Sequence, residues 1–119
     1  MQTFKAWDVI KVPFPYTDRP VRQRRPALVL VAGAPEAEHS LLWVIMITSA
    51  GNRGWENDVD VSDIAKAGLP AASVVRCAKI ATINARDAEP IGTLPPRDRR
   101  LVARRIGNLL THLIPQKRS

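Results

Sequence analysis

Apolar positions come in short, dense runs over the first two-thirds of the chain and in a helical rhythm over the last third. "WDVIKV" (7–12) sets Val and Ile among polar residues, the pattern of a β-branched strand. "ALVLVAG" (27–33) is a continuous apolar run between Pro26 and Gly33, too short for a typical helix, and predicts a strand buried on both faces. "LLWVIMIT" (41–48) predicts a second. "VDVSD" predicts a short strand with alternating valines, and "ASVVRCAKIATIN" (72–84) one or two more, with a bend near Cys77 and Ala78.

The segments between these runs read as breakers. "PFPYTDRP" (13–20) holds three prolines, so it stops the first strand as a stiff loop. "APEAEHS" is a polar turn. "SAGNRGWEND" (49–58) carries two glycines and two asparagines and reads as a loop. "SDIAKAGLP" predicts one helical turn, with Ser62 or Asp63 as its cap and Gly68 at its end. Beyond it, Leu101, Val102, Ile106, Leu109, Leu110 and Leu113 recur at three-to-four spacing, which predicts an amphipathic helix over about 97–114, started by Pro95 and Pro96. The sum is a mainly β fold: a small SH3-like barrel of antiparallel strands with a C-terminal α-helix, one domain over residues 1–119.

Composition adds charge to this picture. Of 119 residues, 18 are Lys or Arg and 11 Asp or Glu, a net charge of +7. That balance fits an anionic partner, nucleic acid or an acidic protein, or simply a basic solvated surface. The single cysteine, Cys77, excludes an intrachain disulfide. "MQTFKAWDV" lacks the apolar core of a signal peptide, and no apolar run approaches the roughly 20 residues that span a bilayer. A cytoplasmic protein with no membrane partner is expected.

Candidate chemistry gathers at the entrance to the second strand. Arg22, Arg24 and Arg25 stand before "PALVLV", and the preceding loop adds Lys11, Arg19, Phe14 and Tyr16. Arginine's planar fork stays charged and matches phosphate, and basic groups interleaved with rings suit single-stranded nucleic acid. The competing reading makes the arginines a solubilising loop and Phe14 a packing residue. Thr48 and Ser49, where a strand meets the Gly-rich loop, either donate to a phosphate oxygen or make local turn bonds. Arg76 lies among Val and Ala. It needs an anionic ligand or an ion pair with Asp8, Asp18, Asp58 or Asp60. His39 and His112 belong to no triad or metal pattern, and Cys77 reads as a small buried residue. Arg97, Arg100 and Arg104 share the helix face opposite the leucines, a solvated face or a second anion-binding patch.

The order "WDVIKVPFPYTD…RQRRPALVLV…VIMITSAG…GLPAASVVRCAKIATIN…IGTLPPRDRRLVARRIGNLL" resembles the MazF/PemK family of type II toxins from about Trp7 to Leu110. The resemblance implies a two-fold dimer and a metal-independent endoribonuclease that cuts single-stranded RNA, typically mRNA. The RNA's own 2′-hydroxyl attacks the adjacent phosphate, leaving a 2′,3′-cyclic phosphate and a 5′-hydroxyl, with no cofactor. It also implies a cognate antitoxin whose acidic C-terminal segment covers the RNA groove. The family's catalytic arginine falls on Arg25 and its catalytic hydroxyl on Thr48. Arg76 resembles an arginine of the PemK-like catalytic centre. Phe14, Tyr16, Thr17, Arg19, Arg22, Arg24, Ser49, Asn52 and Arg53 are the expected RNA contacts.

The chain departs from the family at three points. Ala78 stands where the PemK-like branch has the Asp of Arg-x-Asp, no histidine lies between Pro13 and Arg25, and Ala6-Trp7 replaces the usual Gly before the first Asp. Loss of the carboxylate removes one candidate base. Two further readings therefore stand beside the nuclease. One is a non-catalytic nucleic-acid- or protein-binding module of the gyrase-directed type. The other is a regulator that represses its own operon together with an antitoxin.

Overall fold

The computed structural model describes residues 3–14, 23–34 and 40–111, with the backbone alone at Phe14. The apolar runs all become strands. They are β1 (Asp8–Phe14), β2 (Gln23–Ala32), β3 (Leu41–Ser49), β4 (Asp58–Asp60), β5 (Ser73–Asn84) and β6 (Glu89–Thr93), followed by helix α1 (Pro96–Leu110). They form one antiparallel sheet in the order β4-β5-β3-β2-β1-β6. The sheet has two ends, β4 and β6, so the barrel expected from the sequence is an open one.

Two strands begin or end where proline and charge predicted loops. β1 runs on through Pro13 to Phe14 and pairs with Arg24 and Gln23 of β2. The missing Pro13 N–H costs no ladder bond on the other side, because β6 pairs only as far as Lys11. β2 correspondingly starts at Gln23, so Arg24 and Arg25 are strand residues and not a loop before the strand. β6 has no counterpart among the elements predicted from the sequence, because Pro90 and Gly92 disguise it as a breaker.

Residues of both faces are buried, in two clusters. Val9, Leu28, Ile45, Val75, Cys77, Leu94 and Val102 lie in one, which α1 covers. Phe4, Ile10, Val12, Ala27, Val29, Val44 and Met46 make the other. Burial on both faces holds for Ala27–Val29 and Val44–Ile47 but not for the whole runs, since Val31 and Trp43 are 49% and 55% exposed. Double burial needs a layer on each side, and α1 packs over β4 and β5, away from this end of β2 and β3.

β5 is one strand, and it does bend where Cys77 and Ala78 lie. The β3–β5 register shifts between Ile45↔Ile80 and Ile47↔Val75, so Met46 alone faces the four residues from Arg76 to Lys79. The 62–69 segment is a turn and not a regular helix. Asp63 accepts from Lys66 N at 3.1 Å, and Gly68 ends the turn at φ 73°. This turn presses on β6. A Cβ on Gly68 would lie 1.8 Å from the Ile91 carbonyl oxygen, and one on Gly92 2.4 Å from the Ala67 carbonyl carbon.

α1 starts at Pro96 as expected and reaches Leu110; the expected continuation to Ile114 lies outside the described residues. Its first turn is docked by Asp98. That buried carboxylate accepts from Ser62 N at 2.8 Å and from Ser62 Oγ at 3.0 Å. No helix among the described residues is long and apolar enough to cross a membrane.

Candidate functional site

Sheet register brings the candidate residues together. Arg25 of β2 pairs with Val12 of β1 on one side. On the other, Ala27 faces Met46, and continuing that register by two residues sets Arg25 opposite Thr48. Thr48 in turn pairs with Val74 of β5, and Arg76, two residues on, pairs with Asp58 of β4. Cross-strand partners point to the same face, as do residues two apart on one strand. Arg25, Thr48, Arg76 and Asp58 therefore share one face across four adjacent strands.

Two adjoining cavities meet at Arg25 and Thr48, the larger wrapping the strand ends and taking residues of both faces. The larger, about 440 Å³, is lined by Lys11, Gln23, Arg24, Arg25, Thr48, Ser49 and Asn52 on its polar side. Leu69, Pro70, Ala71, Ala72 and Ile91 supply an apolar wall. The smaller, about 200 Å³, shares Arg25, Ile47, Thr48 and Asn52 with it and adds Met46, Arg76 and Lys79. A cationic end, hydroxyls and an apolar wall within one cleft suit a group that carries both a phosphate and a base.

The side chains differ in how firmly they are held. Arg25 is exposed and donates to Gln23 Oε1 at 3.1 Å, leaving most of its donors facing solvent. Arg24 reaches Glu89 and the Lys11 carbonyl, both at 3.4 Å, in an exposed pair of little energetic weight. Thr48 Oγ1 accepts from Asn52 Nδ2 at 3.1 Å. Ser49 caps the short turn Ala50–Asn52, its Oγ accepting from Gly51 N at 3.4 Å. Arg53 pairs with Asp60 at 3.6 Å on the surface and lines neither cavity.

Arg76 is anchored at several points. Its Nε donates to Asp58 Oδ1 at 3.3 Å and its Nη2 to Asp58 Oδ2 at 3.1 Å, a fork-to-fork pair. Nη2 also donates to the Asn52 carbonyl. The guanidinium carbon lies 4.2 Å from the centre of the Trp55 ring. Of the four aspartates the sequence offers as mates, the structure selects Asp58. Ala78 thus does not leave Arg76 without a carboxylate, because the carboxylate comes from the neighbouring strand.

Several expected contacts cannot be placed. Tyr16, Thr17, Arg19 and Arg22 lie outside the described residues, as does the Phe14 side chain. Sequence reasoning misses Lys79, Gln23 and the 69–72 wall as lining residues; they carry no local motif and meet the site only through strand order. Cys77 is fully buried, and burial pushes its thiol up to about 11, with the nearby Asp58 charge adding to the effect. It is an inert core residue.

The sequence matches the profile of PemK-like, MazF-like toxins of type II toxin–antitoxin systems over residues 5–110. No curated protein sequence matches significantly. Among solved structures, the form-II MazE–MazF complex of Deinococcus radiodurans matches with TM-score 0.70 and 24% identity, over 92% of this chain and 97% of that one. The Mycobacterium tuberculosis toxin MazF-mt6 matches with TM-score 0.65 and 28% identity, over 86% and 95%. Another structure, described as an Mtb toxin, is 33% identical over 71% of this chain and 90% of that one, with TM-score 0.58. The profile spans nearly the whole chain and includes every strand and the helix, so this chain belongs to the PemK-like, MazF-like toxin family of type II toxin–antitoxin systems.

Proposed function

We propose that this toxin is an endoribonuclease that cuts single-stranded RNA by attack of the 2′-hydroxyl on the adjacent phosphate. The observation that carries the reading is the placement of Arg25 and Thr48 opposite one another, on one face, in one cleft. The nucleophile and the phosphate belong to the same nucleotide. The protein therefore has to hold the sugar and phosphate in line and stabilise charge, with no nucleophile of its own.

Arg25 offers a fork of donors to the non-bridging phosphate oxygens, where negative charge builds in the pentacoordinate transition state. Thr48 donates a hydroxyl to the same centre. Lys11 and Arg24 draw the polyanion to the cleft mouth, and the apolar wall from Leu69 to Ala72 gives a flanking base somewhere to lie. As the bond from O2′ to phosphorus forms, the 2′-hydroxyl gives its proton to solvent; as the bond to O5′ breaks, the leaving oxygen takes one from solvent, giving a 2′,3′-cyclic phosphate and a 5′-hydroxyl.

An acidic antitoxin segment suits the same basic cleft, in keeping with the pairing of MazF with MazE in the similar Deinococcus radiodurans complex. A second copy of the chain completes the assembly the family resemblance implies. The decisive experiment incubates purified, antitoxin-free protein with single-stranded RNA in EDTA, beside an otherwise identical substrate carrying a 2′-deoxy sugar at the cut site. Cleavage of the RNA alone, ending in a cyclic phosphate, is expected. Tight binding without cleavage would instead establish a non-catalytic module.

A further inference from the structure

Thr48 is useful to a phosphate only if its proton points into the cleft. A threonine hydroxyl has one donor and two acceptor sites, and its rotor turns to suit its neighbours. Here Asn52 Nδ2 donates to Thr48 Oγ1 at 3.1 Å. An acceptor site on Oγ1 is therefore filled by an amide donor, and the Thr48 proton must go elsewhere. We infer that Asn52 is a positioning residue that sets the Thr48 hydroxyl as a donor to phosphate, and that Arg76 and Asp58 act on the reaction by holding Asn52. The inference rests on the ribonuclease reading of Arg25 and Thr48.

The second half follows from what holds Asn52. It ends the short turn Ala50–Asn52, whose start is tied down by Ala50 N donating to the Ala72 carbonyl at 2.9 Å and by the Ser49 cap. Its other end is tied through its own carbonyl to Arg76 Nη2. Arg76 is in turn gripped by both oxygens of Asp58 and faced by the Trp55 ring. Asp58 Oδ2 also accepts from Trp55 N at 3.2 Å, which closes the loop on itself. A chain of contacts thus runs from Asp58 through Arg76 to the Asn52 backbone, and from the Asn52 side chain to Thr48. With its guanidinium engaged by Asp58 and the Asn52 carbonyl, Arg76 serves as the anchor of the loop rather than as the group that meets the phosphate. An acidic residue two positions after Arg76 is not needed for this, because β4 provides one.

The test compares kcat and KM of the full chain on a single-stranded RNA with affinity for its 2′-deoxy analogue. Asn52 is exposed, so its variants keep the fold. Asn52→Asp is the discriminating change. Its carboxylate accepts the Thr48 proton and turns the donor away, so kcat falls about 100-fold, the scale of losing one transition-state donor. Asn52→Ala leaves the hydroxyl free to rotate and costs less, about tenfold. Acidification from pH 7 to about 3.9, the ordinary Asp midpoint, protonates about half of the new carboxyls and raises the Asn52→Asp to wild-type kcat ratio. Arg76→Lys lowers kcat, and adding it to Asn52→Ala costs no more than the larger single effect.

Asn52→Asp cutting as well as Asn52→Ala, a loss confined to KM, or additive Arg76 and Asn52 effects would each overturn the inference. A separate readout is the pair of Asn52 side-chain amide NMR resonances, which Thr48→Val shifts if the two side chains are bonded. Unshifted resonances overturn the positioning role while leaving cleavage intact. A wild-type chain that cuts no RNA overturns the ribonuclease reading itself, whatever the resonances do.

Discussion

Asp58 and Arg76 face each other across the β4–β5 ladder and meet through two hydrogen bonds, with about nine-tenths of each side chain buried. A buried pair of this kind stabilises little relative to apolar side chains, yet breaking it leaves one charge stranded. Asp58→Ala should therefore cost about 3–5 kcal/mol in chemical denaturation. Arg76→Met combined with Asp58→Leu should cost far less than either disruptive single change. A double variant as unstable as Asp58→Ala would show that the pair's charge is not the cause.

Arg25→Ala and Thr48→Ala should each lower RNA cleavage about 100- to 1,000-fold, the usual loss for one group that stabilises a transition state. Neither should change the melting temperature appreciably. Arg25 is exposed and, among the described residues, its side chain bonds Gln23 alone, as the Thr48 hydroxyl bonds Asn52 alone. Melting curves beside single-turnover rates check this directly; a large drop in stability would mean that these side chains build the sheet end.

Asp98, the one acidic residue of α1, should be costly to lose. Asp98→Ala takes the charged acceptor away from the Ser62 N–H and hydroxyl and should destabilise by about 1.5–3 kcal/mol, the range for hydrogen bonds to a charged group. Asp98→Asn, which still offers one acceptor oxygen, should cost less. Equal losses would assign the effect to packing and not to the bonds.

The raised Cys77 thiol has a defined sign. Burial favours the neutral form in the folded chain, so the group's contribution to stability is complete below the unfolded thiol range near 8.5. It is lost as pH rises to about 11. Stability should fall across that window, and Cys77→Ala should flatten the fall relative to wild type. Iodoacetamide at pH 8 should label Cys77 only once the chain unfolds.

A Cβ at Gly68 has no room beside the Ile91 carbonyl. Gly68→Ala should destabilise by about 1–3 kcal/mol, the range for overpacking. Leu69 and Ile91 line the larger cleft, so the change should also raise KM for RNA. Gly54, whose Cβ would meet nothing within 4 Å, is the contrasting position. It carries only the backbone strain of φ 130°.

Local pattern and tertiary pairing divided the work of specifying this fold. The runs at 27–33 and 41–48 announced β2 and β3 because β-branched density is a local signal, and the leucine spacing announced α1 for the same reason. β6 escaped because Pro90 and Gly92 speak for a turn, and only its place against β1 makes it a strand. Arg24 and Arg25 read as loop residues, since nothing in the chain says that β1 continues far enough to pair with them. At the site, the family pattern singles out Arg25 and Thr48, and the sheet brings the two into one cleft. Asp58 stood among four equal candidates, and choosing it required the β4–β5 register. The Asn52 to Thr48 bond had no sequence signature, because it depends on how one short turn folds back.

The irregularity in β5 splices together two half-strands of opposite phase. Before it, the even-numbered Val74 and Arg76 share the side of Thr48; after it, the even-numbered Ile80 shares the side of Ile45. Had the strand kept the phase of its second half, Cys77 would stand opposite Thr48 and the guanidinium would turn toward the hydrophobic cluster under α1. The splice thus lets one short stretch serve two faces: Arg76 reaches Asp58 and the Asn52 carbonyl, while its neighbours Val75 and Cys77 stay in the cluster under α1.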